Sequence, residues 1–393
     1  MQPSRLEHLN RLVENSFSKI PNFLEKITVE YEKLENAKSF WSEIYLVHLK
    51  VKEDVVEEKL EIPDTVFIKI PRISENVLKC EDGSAVNELH NVLVYYSKKE
   101  NLFYHHFPYD SIPNFPFPKV YFTEDITGEA TGGIVAENLS EKVFAVEHIP
   151  GLSHEQVLRL MEALAGFHSH LIQREDKSYV KSFEEGAHGR ETYSVGMQKM
   201  MFEESLLLGT MAPEVFGNGR IQKIQWAFDY ENKNKATREA VEAIPGIICH
   251  ADLNVTNMLW KTQNSNSEIG AIIDFQMVLI GSAALDLVRV LTLGLSRETR
   301  IQKTTEYLQY YHEKLSGFFN GNPPYSLDDL NNQYRLIYPF ASNFSLFGIC
   351  VYIKLYRDGT LGKPEDVERN CDELVDRARG IVEDIEEIGA DWK

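Results

Sequence analysis

Four polar residues stand where buried strands would exclude them. His250, Asp252, Asn257 and Asp274 interrupt or border apolar runs within IICHADLNVTNMLWKTQNSNSEIGAIIDFQMVLIGSAALDL, residues 247–287. Burying a carboxylate beside a hydrophobic strand is costly unless a cation or hydrogen bonds hold it. Acidic and amide groups at the ends of buried strands are what metal-assisted phosphoryl transfer requires. The polar stretch 262–268 reads as a hairpin turn between 257–261 and 269–275. A hairpin folded symmetrically about Ser265 and Asn266 sets Asn257 opposite Asp274. Opposed residues on neighbouring strands lie within ~5.5 Å of each other, which suits two oxygen ligands sharing one hard cation.

Three more charges matter because of where they fall. Lys69 sits in TVFIKI, a β-branched and aromatic run ended by Pro71. A lysine with apolar neighbours in a central strand needs an acidic partner or a ligand, whereas an edge lysine points to water. Glu100 lies in the second half of a helix-spaced pattern over 87–107 and alone reads as a solvated residue. Asp286 heads an apolar helix running through Leu295 and alone reads as a cap.

The elements that must position these groups come in two styles. A helical pre-segment runs to about residue 35, followed by a strand arm at 40–51, the lysine strand, the Glu100 helix and short strands at 119–122 and 133–136. This alternation predicts a small antiparallel sheet with a helix packed on it. From Ser153, an N-cap candidate, Val157, Leu160, Met161, Leu164, Phe167, His168 and Leu171 keep a helical period. Residues 175–195 lack a clear period and read as a surface excursion. Helical patterns then dominate to the end. The expectation is an α+β, two-lobed chain, with 1–139 forming the sheet lobe and 140–393 a larger, mostly helical lobe. The second lobe would carry a catalytic loop at 249–260 and a metal-binding strand at 269–276.

Bulk properties narrow the partners. The chain has 393 residues, enough for two packed lobes. A net charge of −19 argues against a nucleic-acid groove, which needs a basic footprint, and against an anionic membrane surface. Cys80, Cys249, Cys350 and Cys371 are scattered, with no pair at metal-ligand spacing. They read as reduced thiols in a cytoplasmic protein, with a monomer or weak homodimer expected.

Taken together and in order, these residues resemble the catalytic core of the protein-kinase-like small-molecule phosphotransferases, the aminoglycoside phosphotransferase and choline kinase fold. Within them the chain most resembles the CHK kinase-like group, which includes the ecdysteroid kinases. The resemblance rests on CHADLNVTNMLW at 249–260 and IIDFQ at 272–276, where that group often shows HGDLW-x-x-N and IIDWQ. IKIP at 68–71, ENLFY at 100–104 and LAGFHSHL at 164–171 match more weakly but in order. It spans roughly residues 40–295.

The resemblance implies an enzyme that uses ATP and Mg²⁺ to phosphorylate a hydroxyl of a small molecule, a steroid-like or other bulky alcohol. Asp252 would be the catalytic base, and Asn257 and Asp274 the metal ligands. Lys69 would contact the phosphates and be held by Glu100, with Ser42 or the backbone near Ser39 also at the nucleotide. Glu137 and Asn138, within 136–139, would form the hinge that binds adenine, while His250 and Asp286 would brace the catalytic loop. Three departures from the pattern stand out. Residues 34–50 contain no glycine, and Ala251 sits where glycine is frequent. Phe275-Gln276 replaces the F-G of protein kinases, which argues against a protein kinase. The glycine-free loop keeps a pseudokinase, or a nucleotide-binding module without turnover, as the alternative.

Overall fold

A computed structural model describes residues 3–34, 42–53, 55, 60–72, 83–127, 131–185, 190–262 and 267–390. The chain divides into two compact units. One comprises Met1–Ser111, Pro116–Val143 and Asp274–Met277; the other comprises Ile112–Phe115, Phe144–Ile273 and Val278–Lys393.

The first unit is built on a five-stranded sheet in the order β1-β2-β3-β5-β4. Its strands are β1 (Ile27–Lys33), β2 (Ser42–Val51), β3 (Thr65–Pro71), β4 (Val120–Ile126) and β5 (Thr131–Glu137), and every neighbouring pair is antiparallel. Side chains alternate across a pleated strand. Val47, Leu49, Val66, Ile68, Ile70 and Val135 therefore share one face, where they form a core with Leu9, Leu12 and Val13 of helix α1 (Pro3–Ser16). The same alternation turns Phe67 and Lys69 to the other face. Helix α2 (Gly83–His106) carries Glu100.

Residues 27–33, expected within the helical pre-segment, are strand β1 instead. ITVEYEK buries Ile27 and half-buries Val29 and Tyr31 at a period of two, and its full-length pairing with β2 overrides the helical pattern. Glu43 of β2 sits among three cations, Arg5, Lys33 and Arg72. Burial alone would raise its pKa, but the three cations outweigh burial and hold the carboxyl below the usual glutamate range. That cluster ties α1 to the sheet electrostatically as well as through apolar packing.

The second unit is mostly helical, so the α+β class and the split between sheet and helices are those expected. After the short strand β6 (Val143–Ala145) come α3 (His154–Gln173), α4 (Ser178–Glu185), α5 (Arg190–Ser205) and α6 (Tyr230–Ala243). Two small strand pairs follow, β7 (Ile247–Cys249) with β10 (Leu279–Gly281) and β8 (Met258–Lys261) with β9 (Ile269–Ile272). The unit ends in α7 (Ala284–Gly294), α8 (Arg297–Phe318), α9 (Leu327–Arg357) and α10 (Val367–Gly389). Ser153 caps α3 through a reciprocal box with Gln156. The expected surface excursion at 175–195 contains α4 and α5 instead. SYVKSFEE does place apolar residues on one face, burying Tyr179 and Phe183. Helix α9 is long and apolar enough to cross a membrane by composition alone, but 67% of its most apolar window is buried inside the unit, as in a core helix.

Leu12 is fully buried beneath the sheet, so Leu12→Ala should lower stability by about 2–5 kcal/mol. Urea unfolding of the variant measures this, and a loss under 1 kcal/mol would mean that α1 does not support the sheet.

Candidate functional site

The first unit gathers three of the singled-out charges at one point. Lys69 lies mid-strand in β3, opposite Ile44 on one side and Ile134 on the other. Its ammonium donates to Glu100 Oε2 at 2.7 Å and to Asp274 Oδ1 at 2.7 Å. Burial opposes the charge on Lys69, but the Asp274 and Glu100 carboxylates outweigh it and hold the pKa above the ordinary lysine range. Glu100 is 4% exposed. Its burial raises its own pKa, and Asp274 adds to this against the pull of Lys69. Two carboxylates facing one ammonium leave an excess negative charge, which a second cation would balance.

Asp274 takes a left-handed backbone conformation, φ 69°. Asp tolerates that region better than most residues because its short polar side chain bonds locally; here Oδ2 accepts from Gln276 Nε2 at 3.3 Å. The next residue anchors the turn. Phe275 is fully buried and stacks on Phe103, with centroids 3.7 Å apart and planes 6° from parallel. The Phe275 N–H donates to Glu100.

The remaining nucleotide-side expectations fall in the same unit. Ser42 opens β2 and pairs with Pro71, while Ser39 lies outside the described residues. Glu137 ends β5, and its Oε1 accepts from Lys119 N at 2.8 Å. Asn138 donates to Thr65 Oγ1 at 3.0 Å and accepts from the Ser140 N–H at 2.9 Å.

The second unit builds a polar loop from 249–260. Asp286, in the first turn of α7 and fully buried, does not cap its own helix. Its two oxygens accept from the His250 N–H at 2.8 Å and the Ala251 N–H at 2.7 Å. Ala251 has φ 64°, a left-handed conformation that costs a non-glycine residue roughly 1–2 kcal/mol. This explains why glycine suits the position, and the two charge-assisted bonds to Asp286 offset the strain. His250 is fully buried, and its Nε2 bonds the Ile273 carbonyl at 2.9 Å. Asp252 is half-buried. Its Oδ1 accepts from Asn254 Nδ2 at 3.3 Å and its Oδ2 from Asn257 Nδ2 at 3.2 Å. Asn257 Nδ2 also donates to the Asp252 carbonyl at 2.9 Å, which commits its nitrogen and leaves its oxygen as the outward acceptor.

The expected pairing of Asn257 with Asp274 needs correcting. The strands pair Met258 with Ile272 and Leu259 with Ala271, then slip by a residue at Trp260. Ile273, whose N–H donates to the Asn257 carbonyl at 3.0 Å, is therefore the residue opposite Asn257, and Asp274 is one further along the chain. Side chains alternate in a strand, so this one-residue shift puts Asp274 out of the paired register. The centre of the turn at Ser265 and Asn266 lies outside the described residues.

Sequence reasoning missed Asn254 and Tyr311. Asn254 braces Asp252 and also accepts from Thr256. His168 bonds Tyr311 at 2.8 Å, and its other ring nitrogen lies 3.7 Å from Asp286. The Phe103–Phe275 stack was accessible, since Phe103 follows Glu100 by three residues on one helix face. Tyr311 was not, because it meets His168 from 143 residues away.

A family profile described as "Uncharacterized oxidoreductase dhs-27" matches residues 5–390. The chain belongs to that family, DUF1679. It is similar to the uncharacterized kinase-like protein D1044.1 of Caenorhabditis elegans, with 32% identity over 383 residues, covering 96% of this chain and 99% of that protein. The uncharacterized oxidoreductase dhs-27 of C. elegans is 24% identical over 270 residues, covering 65% of this chain but only 31% of that protein. The oxidoreductase in the DUF1679 description thus names a protein of which less than a third matches this chain. Among solved structures, the GDP complex of wild-type aminoglycoside 2'-phosphotransferase-IIIa aligns at TM-score 0.46 and 12% identity, covering 98% of this chain and 99% of that one. ADP-bound aminoglycoside phosphotransferase APH(2'')-Ib aligns at 0.41 and 14%, covering 97% and 99%.

Replacing Lys69 with methionine leaves Glu100 buried without its cation. Glu100 would then ionise more readily in the unfolded chain, so stability should fall as pH rises above the ordinary glutamate range. Relative to wild type, Lys69→Met should lose about 2 kcal/mol at pH 7 and much less near pH 4. Adding Glu100→Gln should recover part of it. Denaturation midpoints across pH measure this, and a loss independent of pH would contradict the pairing.

Proposed function

We propose that the chain is an ATP- and Mg²⁺-dependent phosphotransferase that moves the γ-phosphate of ATP to a hydroxyl of a small molecule. The observation that carries this reading is the Lys69 ammonium held between Glu100 and Asp274. The pair fixes a cation on a strand face, where it can meet phosphate oxygens. The kinase-like relative, which matches nearly the whole chain, supports the same class.

The donor set fits magnesium. Asn257 offers an amide oxygen and Asp274 a carboxylate, both hard donors. Among the described residues no cluster of three or more His, Cys, Asp or Glu is built to hold a metal. Mg²⁺ is ordinarily bound by one or two carboxylates together with substrate phosphates. Held by donors of these types, it would neutralise charge on the phosphates.

In this reading Lys69 orients the α- and β-phosphates, and Glu100 keeps Lys69 in place. Ser42 lies at the nucleotide, and Glu137 and Asn138 belong to the segment that binds adenine. Asp252 holds the acceptor hydroxyl and takes its proton as the acceptor oxygen bonds to the γ-phosphorus. The bond from that phosphorus to the bridging oxygen breaks, and ADP leaves. Asn254 and Asn257 keep the Asp252 carboxylate turned, while Asp286 and His250 hold its backbone. The CHK kinase-like and ecdysteroid kinase-like resemblance points to a bulky, steroid-like alcohol as the acceptor. Three described cysteines, Cys249, Cys350 and Cys371, are free and buried, which suits the cytoplasmic setting we propose, with the protein a monomer or weak homodimer.

The second reading is a nucleotide-binding pseudokinase, favoured by the glycine-free stretch 34–50. Asp252→Asn keeps the volume and one of the two bonds from Asn254 and Asn257 but removes the base. It should reduce phosphoryl transfer from labelled ATP by ~10²-fold or more in a variant that still folds cooperatively. Equal transfer by the variant would refute Asp252 as the base, and wild-type protein that binds ATP without transferring phosphate would favour the pseudokinase.

A further inference from the structure

Helix α10 lies outside the stretch that carries the family resemblance, yet it sends one charged side chain into the core of the second unit. Arg377 is 2% exposed. Burying a guanidinium is costly unless hydrogen bonds satisfy it, and four do. Its Nε donates to Glu373 Oε1 at 3.0 Å, one turn back on the same helix. Nη1 donates to the Leu293 carbonyl at 2.8 Å and to the His148 carbonyl at 3.0 Å, and Nη2 donates to the Pro150 carbonyl at 2.8 Å. Three of the four acceptors are thus backbone oxygens from two other segments, 148–150 and the end of α7.

The end of α7 needs those donors. The last carbonyls of a helix have no partner within it, and α7 is buried from Asp286 to Gly294. Arg377 donates to the Leu293 carbonyl, and the Leu152 N–H donates to that of Gly294 at 2.8 Å. The approach is close: a Cβ at Gly151, which has φ 92°, would stand 2.4 Å from the Gly294 oxygen. A cation at a helix C-terminus also favours the helix dipole. At its other end α7 carries Asp286, which grips His250 and Ala251. Leu293 follows Asp286 by seven residues, two turns up the same side of the helix and roughly 10 Å along its axis. A buried helix moves as a rod, so the tie on its last turn decides where its first turn holds the loop.

We propose that Arg377 is a positioning residue for the catalytic loop. By fixing the end of α7 against 148–150, it sets the axial position at which Asp286 meets the two N–H groups, and so the place of Asp252 next to them. Packing alone does not set it, because packed helices slide past one another by small amounts. Three carbonyls from two segments meet a planar, forked donor in one arrangement. A misplacement of about 1 Å, caused far from the chemistry, is enough to cost ~10²-fold in rate. The effect on the loop stands by itself; the effect on turnover rests on the phosphotransferase reading.

The test uses the full chain as wild type, Arg377→Met, Arg377→Lys and Leu374→Ala. Leu374, also on α10 and 1% exposed, is the control: its loss opens a cavity and lowers stability but leaves the three carbonyls bonded. Unfolding midpoints set an assay temperature at which the variants are folded. Two quantities are measured there: hydrogen exchange of the His250 and Ala251 amides, and hydrolysis of Mg²⁺-ATP with water in place of the acceptor alcohol. Arg377→Met should speed exchange of the two amides by about tenfold or more. It should lower kcat by about the same factor and leave KM for ATP within about threefold of wild type. Arg377→Lys keeps the charge and some of the donors, and should recover part of both losses. Leu374→Ala should leave exchange and kcat within about threefold of wild type despite its lower midpoint. Unchanged exchange in Arg377→Met, or an equal rise in Leu374→Ala, overturns the proposal, as does a rise in KM with kcat unchanged. If Arg377→Met fails to fold, the same comparison between Arg377→Lys and Leu374→Ala decides the matter. Faster exchange at the loop, in a chain whose wild type hydrolyses no ATP, supports the tie and counts against the phosphotransferase reading alone.

Discussion

An ammonium on an apolar strand has to be compensated, and the first unit is arranged around that need. Lys69 projects from the middle of β3 and meets two carboxylates at equal distance, one from helix α2 and one from the turn after β9. Glu100 would not be tolerable there alone, because it is buried. Neighbours fix both carboxylates. The Phe275 ring lies flat on Phe103, one helical turn from Glu100, and the Phe275 N–H bonds to Glu100 itself. Ion pair, aromatic stack and turn therefore form one structure, and a change to any of them reaches the others.

The second unit solves a related problem in reverse. Its buried carboxylate Asp286 accepts from two backbone N–H groups, with the His168 ring nitrogen 3.7 Å away. A carboxylate that accepts two backbone hydrogens fixes the path of a loop more rigidly than one paired with a flexible lysine. Two consecutive N–H groups reach it because Ala251 turns left-handed. Asp252, immediately after, is held by Asn254 and Asn257 through a short turn of chain. Its position follows from local geometry that only a few residues set.

Much of this was legible in the sequence. The lysine strand, the Glu100 helix, the α+β class and the polar loop at 249–260 all follow from local periodicity and from charges in costly places. What failed shares a cause. Residues 27–33 read as helix because β1 becomes a strand through pairing with β2, a partner some twenty residues away in the chain. The hairpin at 258–272 was placed a residue out because symmetry about a turn ignores the slip at Trp260. Tyr311 beneath His168 and Arg289 on Phe344 depend on helices brought together from distant segments, which no local pattern encodes.

The central claim is that Lys69, Glu100 and Asp274 serve a magnesium nucleotide. Calorimetric titration of ATP into the wild-type chain, once with Mg²⁺ and once with EDTA, tests it most directly. The account predicts saturable binding with one site that weakens at least tenfold when the metal is removed. Absence of binding, or equal affinity in EDTA, would contradict it.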